Sequence, residues 1–129
     1  MPGALKFRPV TPGLLGKLLG TLVSSEWPAW VRALSGKSGV YVIRATAGHA
    51  VLYVGESHTG RLYDTLTRHF QAWSGQTAGP TYRRGSVEIA VVLVAKTRVV
   101  AIQDKLICRL QPRDNTVSPV CPLKPEHPF

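Results

Sequence analysis

Residues 38–57 read SGVYVIRATAGHAVLYVGES and contain two runs of β-branched and aromatic side chains. The first run extends from Ser38 to Arg44 and the second from Ala50 to Gly55, and Ala47-Gly48 between them is a turn signal. This pattern predicts a β-hairpin, and we expect the rest of the domain to be assembled around it.

The segments after the hairpin predict a helix, a strand and another helix. Apolar residues recur at helical spacing from Arg61 to Trp73. Val87 to Val94 is almost continuously apolar, which predicts a central strand beside the hairpin. A last helix fits Arg98 to Gln111 and ends at Pro112. Together these elements predict an α+β fold, in which helices flank a small, mostly antiparallel sheet.

The composition divides the chain into three parts. Residues 1–36 include a leucine-rich stretch from Leu14 to Leu22 and a second helical stretch from Glu26 to Leu34, and predict extra N-terminal helices packed on the core. Residues 37–116 form the main domain, and residues 117–129 form a Pro-rich tail.

Charge and cysteine content restrict the class of function. The chain has 16 Lys and Arg against 7 Asp and Glu, a formal net charge of +9, which favours a polyanionic partner such as nucleic acid. The apolar run from Leu14 to Val23 is too short and interrupted for a membrane span, so we expect no membrane association. The spacing of Cys108 and Cys121 indicates neither a zinc site nor a disulfide framework, which favours a reducing, cytoplasmic setting.

One polar residue interrupts the apolar side of the last helix. A helical wheel places Gln103 near the middle of the stripe formed by Val99, Ile102, Leu106, Ile107 and Leu110. Burying an amide without a partner costs roughly 1–3 kcal/mol, so a polar group must face it. The two alternatives are a hydrogen-bonded core glutamine and a polar pocket.

Two further stretches combine cations with other polar or aromatic groups. The helix after the hairpin has a polar edge with Arg61, Thr65 and Arg68, and His69 lies at its boundary. The loop residues 82–84 read Tyr-Arg-Arg, a combination that can stack on a base and hold a phosphate. The alternative in both places is an ordinary solvated surface.

The paired tripeptides of the hairpin carry a resemblance to a known family. Gly39-Val40-Tyr41 and Tyr53-Val54-Gly55 are followed by Glu56-Ser57, Arg61, His69 and a helix that leads to Asn115. This series, over about residues 38–115, resembles the GIY-YIG nucleases. The resemblance implies a three-stranded sheet and hydrolysis of DNA phosphodiester bonds with a single divalent cation, Mg²⁺ or Mn²⁺.

The resemblance also implies roles for individual residues. Tyr41 and Tyr53 would stand beside the attacking water and relay its proton, as a tyrosine hydroxyl or a tyrosinate, and Arg61 would stabilise the phosphate. His69 would bind a phosphate oxygen or exchange a proton. With the basic residues above, the predicted nucleic-acid contacts are Ser57, Arg68, Tyr82, Arg83, Arg84 and Asn115.

The sequence departs from the family at Gln103, which occupies the position of the metal-binding glutamate. An amide oxygen is a neutral and weaker ligand for Mg²⁺ than a carboxylate. Three explanations remain open: an inactivating substitution, a natural loss of catalysis, or a rearranged site that uses Glu56, Glu88 or Asp104.

The sequence therefore predicts a DNA endonuclease that is weakened or inactivated at Gln103. The alternatives are a non-catalytic nucleic-acid-binding module on the same scaffold and a protein-interaction domain. A homodimer would allow two single-strand cuts to become one double-strand break.

Overall fold

The computed structural model describes residues 5–11, 27–70, 81–115, 119 and 121. These residues form four strands and three α-helices. In chain order they are β1 (Arg8–Pro9), α1 (Ala29–Arg32), β2 (Gly39–Ala45), β3 (Val51–Ser57), α2 (Leu62–Thr67), β4 (Val87–Leu93) and α3 (Val99–Leu110). The predicted leucine-rich helix at 14–22 and most of the predicted tail lie outside the described residues.

The strands form one antiparallel sheet in the order β1-β4-β2-β3. The predicted α+β class and the hairpin of β2 and β3 are confirmed, but the expectation of three strands is wrong because β1 adds a fourth. This strand has only two residues, Arg8 paired with Ile89 and Pro9 paired with Glu88. A segment so short has no alternating pattern to detect, and a proline is tolerated there because β1 is an edge strand.

Helices cover both faces of the sheet because the side chains of β2 alternate. Tyr41 and Ile43 belong to a buried cluster with residues of α1 and α2, including Val31, Leu62 and Leu66. Side chains from the other face form a second cluster with α3, composed of Val40, Val42, Val54, Val99, Ile102, Leu106 and Ile107. The sheet is therefore the middle of three layers, and β3 is its open edge.

The two helices predicted for the main domain agree with the structure to different degrees. The last helix was predicted over Arg98–Gln111, and α3 agrees to within one residue at each end. The helix predicted over Arg61–Trp73 is shorter in the structure, because α2 ends at Thr67 and the chain continues as a 3₁₀ turn over Arg68–Phe70. Residues 71–80 lie outside the described part.

Cys108 and Cys121 form a disulfide, so the interpretation that the cysteines do not pair is wrong. Cys108 lies on α3, whereas Cys121 belongs to the predicted Pro-rich tail beyond this helix. The spacing of two cysteines 13 positions apart does not by itself reveal that they pair. Within the described ranges, none of the helices is both long and apolar enough to cross a bilayer.

Candidate active site

A polar cavity of about 220 Å³ lies beside the open edge of β3. Its lining comes from the hairpin and from the helical elements of both layers. The lining residues are Tyr41, Tyr53, Gly55, Glu56, Thr65, Arg68, His69 and Gln103. Four of the five residues that the sequence predicted as catalytic, all except Arg61, are therefore brought together in one place.

The C-terminal segment after α3 covers part of the β3 edge and leaves the rest to the cavity. The backbone N–H groups of Arg113 and Asp114 donate to the carbonyls of Val51 and Leu52 at 3.1 and 2.8 Å. Asn115 then replaces a backbone pair, since its side chain accepts from the N–H of Val54 and donates to the Val54 carbonyl, both at 2.9 Å. The C-terminal segment therefore covers the edge of β3 as far as Val54. The next two residues of β3, Gly55 and Glu56, line the cavity.

Gly55 allows the ring of Tyr41 to lie directly against the backbone of β3. The two residues are paired across the hairpin. A Cβ atom on Gly55 would stand 2.3 Å from both Cζ and Oη of Tyr41, a separation that real Cβ atoms do not show. Gly39 is also held by a close approach, because its Cβ would lie 2.4 Å from the carbonyl oxygen of Val92. Both glycines of the paired tripeptides are thus required by packing.

The hydroxyl of Tyr41 forms a 2.7 Å hydrogen bond with Nε2 of His69. Both side chains are buried, at 1% and 5% exposure. Because a neutral imidazole has one donor and one acceptor nitrogen, the bond runs in either direction according to the His69 tautomer. This pair is able to pass a proton between an oxygen in the cavity and the imidazole.

Aromatic rings and the C-terminal segment hold His69 in place. Its ring centroid lies 4.7 Å from that of Tyr53 and 5.9 Å from that of Tyr82. The backbone carbonyl of His69 accepts a 2.7 Å hydrogen bond from the N–H of Tyr82. The hydroxyl of Tyr82 donates to Asp114 at 2.8 Å. In this arrangement Tyr82 positions the histidine through its ring and backbone.

Burial raises the pKa of Tyr41 well above its usual value of 10.0. The nearby Tyr53 and Glu56 raise this pKa further, whereas Arg68 lowers it. Burial also raises the pKa of Tyr53. Tyr41 is therefore a neutral hydroxyl at pH 7, and the tyrosinate form that the resemblance allowed is disfavoured. A proton accepted by its oxygen requires that its own proton move to His69.

We expect the protein to lose stability as the pH rises above 10. The folded-state pKa values of Tyr41 and Tyr53 lie above the unfolded value of about 10, so their contribution is complete below that pH and is lost as pH rises toward the folded values. The unfolding midpoint in urea, followed between pH 8 and 12, measures the effect. Tyr41→Phe should show a smaller loss, and a midpoint that does not change up to pH 12 would contradict the assignment.

The two arginines on the helix after the hairpin occupy different environments. Arg68 lines the cavity, and among the described residues no carboxylate lies within 4 Å of its guanidinium. The side chain of Arg61 is 64% exposed, lies 3.9 Å from Asp64 and does not line the cavity. Arg61 precedes α2, and its backbone N–H donates to Ser57 Oγ at 3.0 Å. Of these two guanidinium groups, that of Arg68 faces the cavity.

The three carboxylates considered as alternative metal ligands to Gln103 also lie in different environments. Gln103 is half-buried and lines the cavity, as the polar-pocket alternative required. Glu56 lines it as well. Glu88 is occupied on β4 by an ion pair with Arg44, and Asp104 is not among the lining residues. Of these three carboxylates, Glu56 is therefore the one that lines the cavity.

The remaining predicted nucleic-acid contacts have mostly internal partners. Arg84 donates to the carbonyl of Val10 at 2.7 and 3.0 Å and stacks over Trp27 at 3.9 Å. The hydroxyl of Ser57 accepts from the backbone at the start of α2 and is 4% exposed. Arg83 is exposed to solvent. These contacts favour structural roles for Arg84 and Ser57, and the contacts described above favour the same for Tyr82 and Asn115. The charge of Arg83 remains accessible to a ligand.

No protein-family model, curated protein or solved structure matches this chain. Among the described residues, no group of three or more His, Cys, Asp or Glu side chains could hold a metal ion. The described residues that line the cavity offer a cation one carboxylate, that of Glu56, together with neutral oxygens.

Two features of the site had only indirect signals in the sequence. Glu56 directly follows the second tripeptide, and the alternation of β3 places it on the face opposite Tyr53 and Gly55, toward α3. Thr65 lies on the polar helix edge with Arg68, and both line the cavity. In each case the sequence pattern indicated on which side of its element the side chain lies. It did not show that the side chain lines a cavity, because the cavity depends on how the layers meet at the edge of β3.

Proposed function

We propose that this chain is a metal-dependent endonuclease of the GIY-YIG type that hydrolyses phosphodiester bonds of DNA. The observation that carries the proposal is the Tyr41–His69 hydrogen bond in a cavity that also contains Arg68. In-line displacement at a phosphate needs a proton-transferring pair and a cation, and among the described residues Arg68 has no carboxylate partner within 4 Å. The paired tripeptides add support, since both of their glycines are required by close packing.

The charge distribution favours a polyanionic substrate. The net charge of the chain is +9, and the guanidinium of Arg68 offers planar donors to phosphate oxygens. In the proposed complex Arg68 binds a non-bridging oxygen of the scissile phosphate and stabilises the additional negative charge of the transition state. The exposed guanidinium of Arg83 is available for a second phosphate.

Proton transfer in the proposed reaction uses Tyr41 and His69 together. The attacking water gives its proton to the Tyr41 oxygen as the hydroxyl proton moves to Nε2 of His69, and the new O–P bond forms while the opposite O–P bond breaks. This coupling avoids a free tyrosinate, which the raised pKa of Tyr41 disfavours. The resulting imidazolium releases its proton to solvent, and the departing oxygen takes a proton from water.

The oxygen donors of the cavity fit a single hard cation. Mg²⁺ is commonly held by one or two carboxylates and completes its coordination with water and substrate phosphate. The cavity offers the carboxylate of Glu56 and the amide oxygen of Gln103. A bound divalent cation supplies positive charge that polarises the phosphate and stabilises the departing oxygen.

A non-catalytic nucleic-acid-binding module is the second candidate, and the neutral amide of Gln103 favours it. Without a carboxylate at this position of α3, cation affinity and turnover should both fall. This candidate predicts binding that weakens steeply with salt, with no cleavage under any divalent ion.

Cleavage by the chain and by its Gln103→Glu variant distinguishes the two candidates. Both are incubated with plasmid, branched and single-stranded DNA in Mg²⁺ or Mn²⁺, with an EDTA control. We expect slow nicking by the chain and nicking at least about tenfold faster by the variant, because a second carboxylate strengthens cation binding. If neither form nicks any DNA although both bind it, the module is the correct account. If neither binds, nucleic acid is not the partner.

A further inference from the structure

Among the residues that the structure describes, Glu56 is the single carboxylate that lines the cavity. It lies on β3 directly after Gly55, and its side chain is 19% exposed. The negative charge of Glu56 contributes to the raised pKa of Tyr41, which lies on the paired strand β2. Glu56 and Tyr41 therefore line the same polar cavity.

The partners of Glu56 do not remove this charge from the cavity. Its two carboxylate oxygens lie 2.8 and 3.2 Å from Nδ1 of His58, whose side chain is 53% exposed and does not line the cavity. Arg68 lines the same cavity without forming an ion pair with Glu56. The anionic Glu56 and the cationic Arg68 therefore line one cavity without forming an ion pair with each other.

The position of Gln103 complements this carboxylate. Gln103 reaches the cavity from α3, whereas Glu56 reaches it from β3. An amide oxygen is a neutral ligand, so any net ligand charge on the cation must come from another side chain. The neighbouring carboxylate on α3, that of Asp104, does not line the cavity.

We propose that Glu56 supplies the anionic ligand for a single divalent cation in this cavity, with the amide oxygen of Gln103 as a neutral second ligand. The inference rests on the proposed function, because it identifies the ligands of the cation that the endonuclease uses. The ligand charge is thereby located on the edge strand β3 instead of on helix α3. The chain as written can then bind Mg²⁺ or Mn²⁺ without a glutamate at position 103.

Direct binding of Mn²⁺ to the full chain tests the inference. Electron paramagnetic resonance of free Mn²⁺ and titration calorimetry give the dissociation constant without reference to activity. Glu56→Gln should weaken binding at least about tenfold, because the proposed anionic ligand is lost, whereas Gln103→Glu should strengthen it. Asp104→Asn is the matched control, since it removes one carboxylate from α3 outside the cavity, and its affinity should agree with that of the parent.

Circular dichroism and the urea midpoint show whether Glu56→Gln folds, and Glu56→Asp provides a second variant that keeps the charge and should retain part of the affinity. The inference is overturned if the parent binds no Mn²⁺ or if Glu56→Gln binds it as well as the parent does.

Nicking of DNA is scored in parallel. Loss of Mn²⁺ binding in Glu56→Gln without nicking by any form supports the cation site and contradicts the nuclease. Nicking that EDTA abolishes but that Glu56→Gln leaves unchanged supports the nuclease and contradicts the site.

Discussion

Arg68→Ala is expected to reduce DNA cleavage about a thousandfold or more. Guanidinium groups that stabilise the transition state of phosphoryl transfer contribute factors of about 10³–10⁵. Arg68 is the cavity-lining cation, and among the described residues it has no carboxylate partner within 4 Å that would neutralise it. Nicking rates of the variant and the parent, measured at saturating Mg²⁺, give the size of the effect.

Arg61→Ala is the matched control for this prediction. The side chain of Arg61 is 64% exposed, and its nearest carboxylate is that of Asp64 at 3.9 Å. Exposed charges of this kind contribute little, so cleavage should change by no more than about fivefold. If Arg61→Ala abolishes cleavage and Arg68→Ala does not, the phosphate is bound outside the cavity and our assignment of the guanidinium is incorrect.

Gly55→Ala is expected to lower the free energy of unfolding by about 1–3 kcal/mol and to abolish cleavage. The added methyl group would lie 2.3 Å from the hydroxyl end of Tyr41, so the ring must move away from β3. Since Tyr41 is buried and bonded to His69, this movement separates the two groups that exchange the proton. Urea unfolding and the nicking rate measure the two consequences.

Gly85→Ala is the control for the glycine prediction, because a Cβ at Gly85 meets no atom within 4 Å and no positive φ is involved. It should unfold within about 0.5 kcal/mol of the parent. If Gly55→Ala is as stable and as active as Gly85→Ala, Tyr41 adjusts without cost and the packing argument for the tripeptide glycine is wrong.

Elements with a strong local pattern could be predicted from the sequence. The alternation and the turn signal between residues 38 and 57 specified the hairpin, and the stripe of apolar residues specified α3 to within one residue at each end. The same stripe predicted that Gln103 faces inward, where the structure has the cavity. These features were accessible because each depends on neighbours along the chain.

Features that depend on contacts between distant segments could not be predicted. β1 is two residues long and is defined only by its pairing with β4. The disulfide depends on the path between Cys108 and Cys121. The helical wheel assumed one regular helix through His69, but the chain turns to 3₁₀ geometry at Arg68. This change alters the direction of the side chains at the point where the site is assembled.

Nicking of DNA by Tyr41→Phe, compared with the parent in the same Mg²⁺ or Mn²⁺ buffer, tests the central claim most directly. The variant keeps the ring against Gly55 and removes only the hydroxyl that bonds to His69. Loss of a positioned proton-transfer group costs about 10²–10⁴-fold, so the parent should nick DNA and the variant should nick it at least about a hundredfold more slowly, with unchanged DNA binding. Equal nicking by the two proteins would contradict our account of the Tyr41–His69 cavity as the place where the phosphodiester bond is hydrolysed.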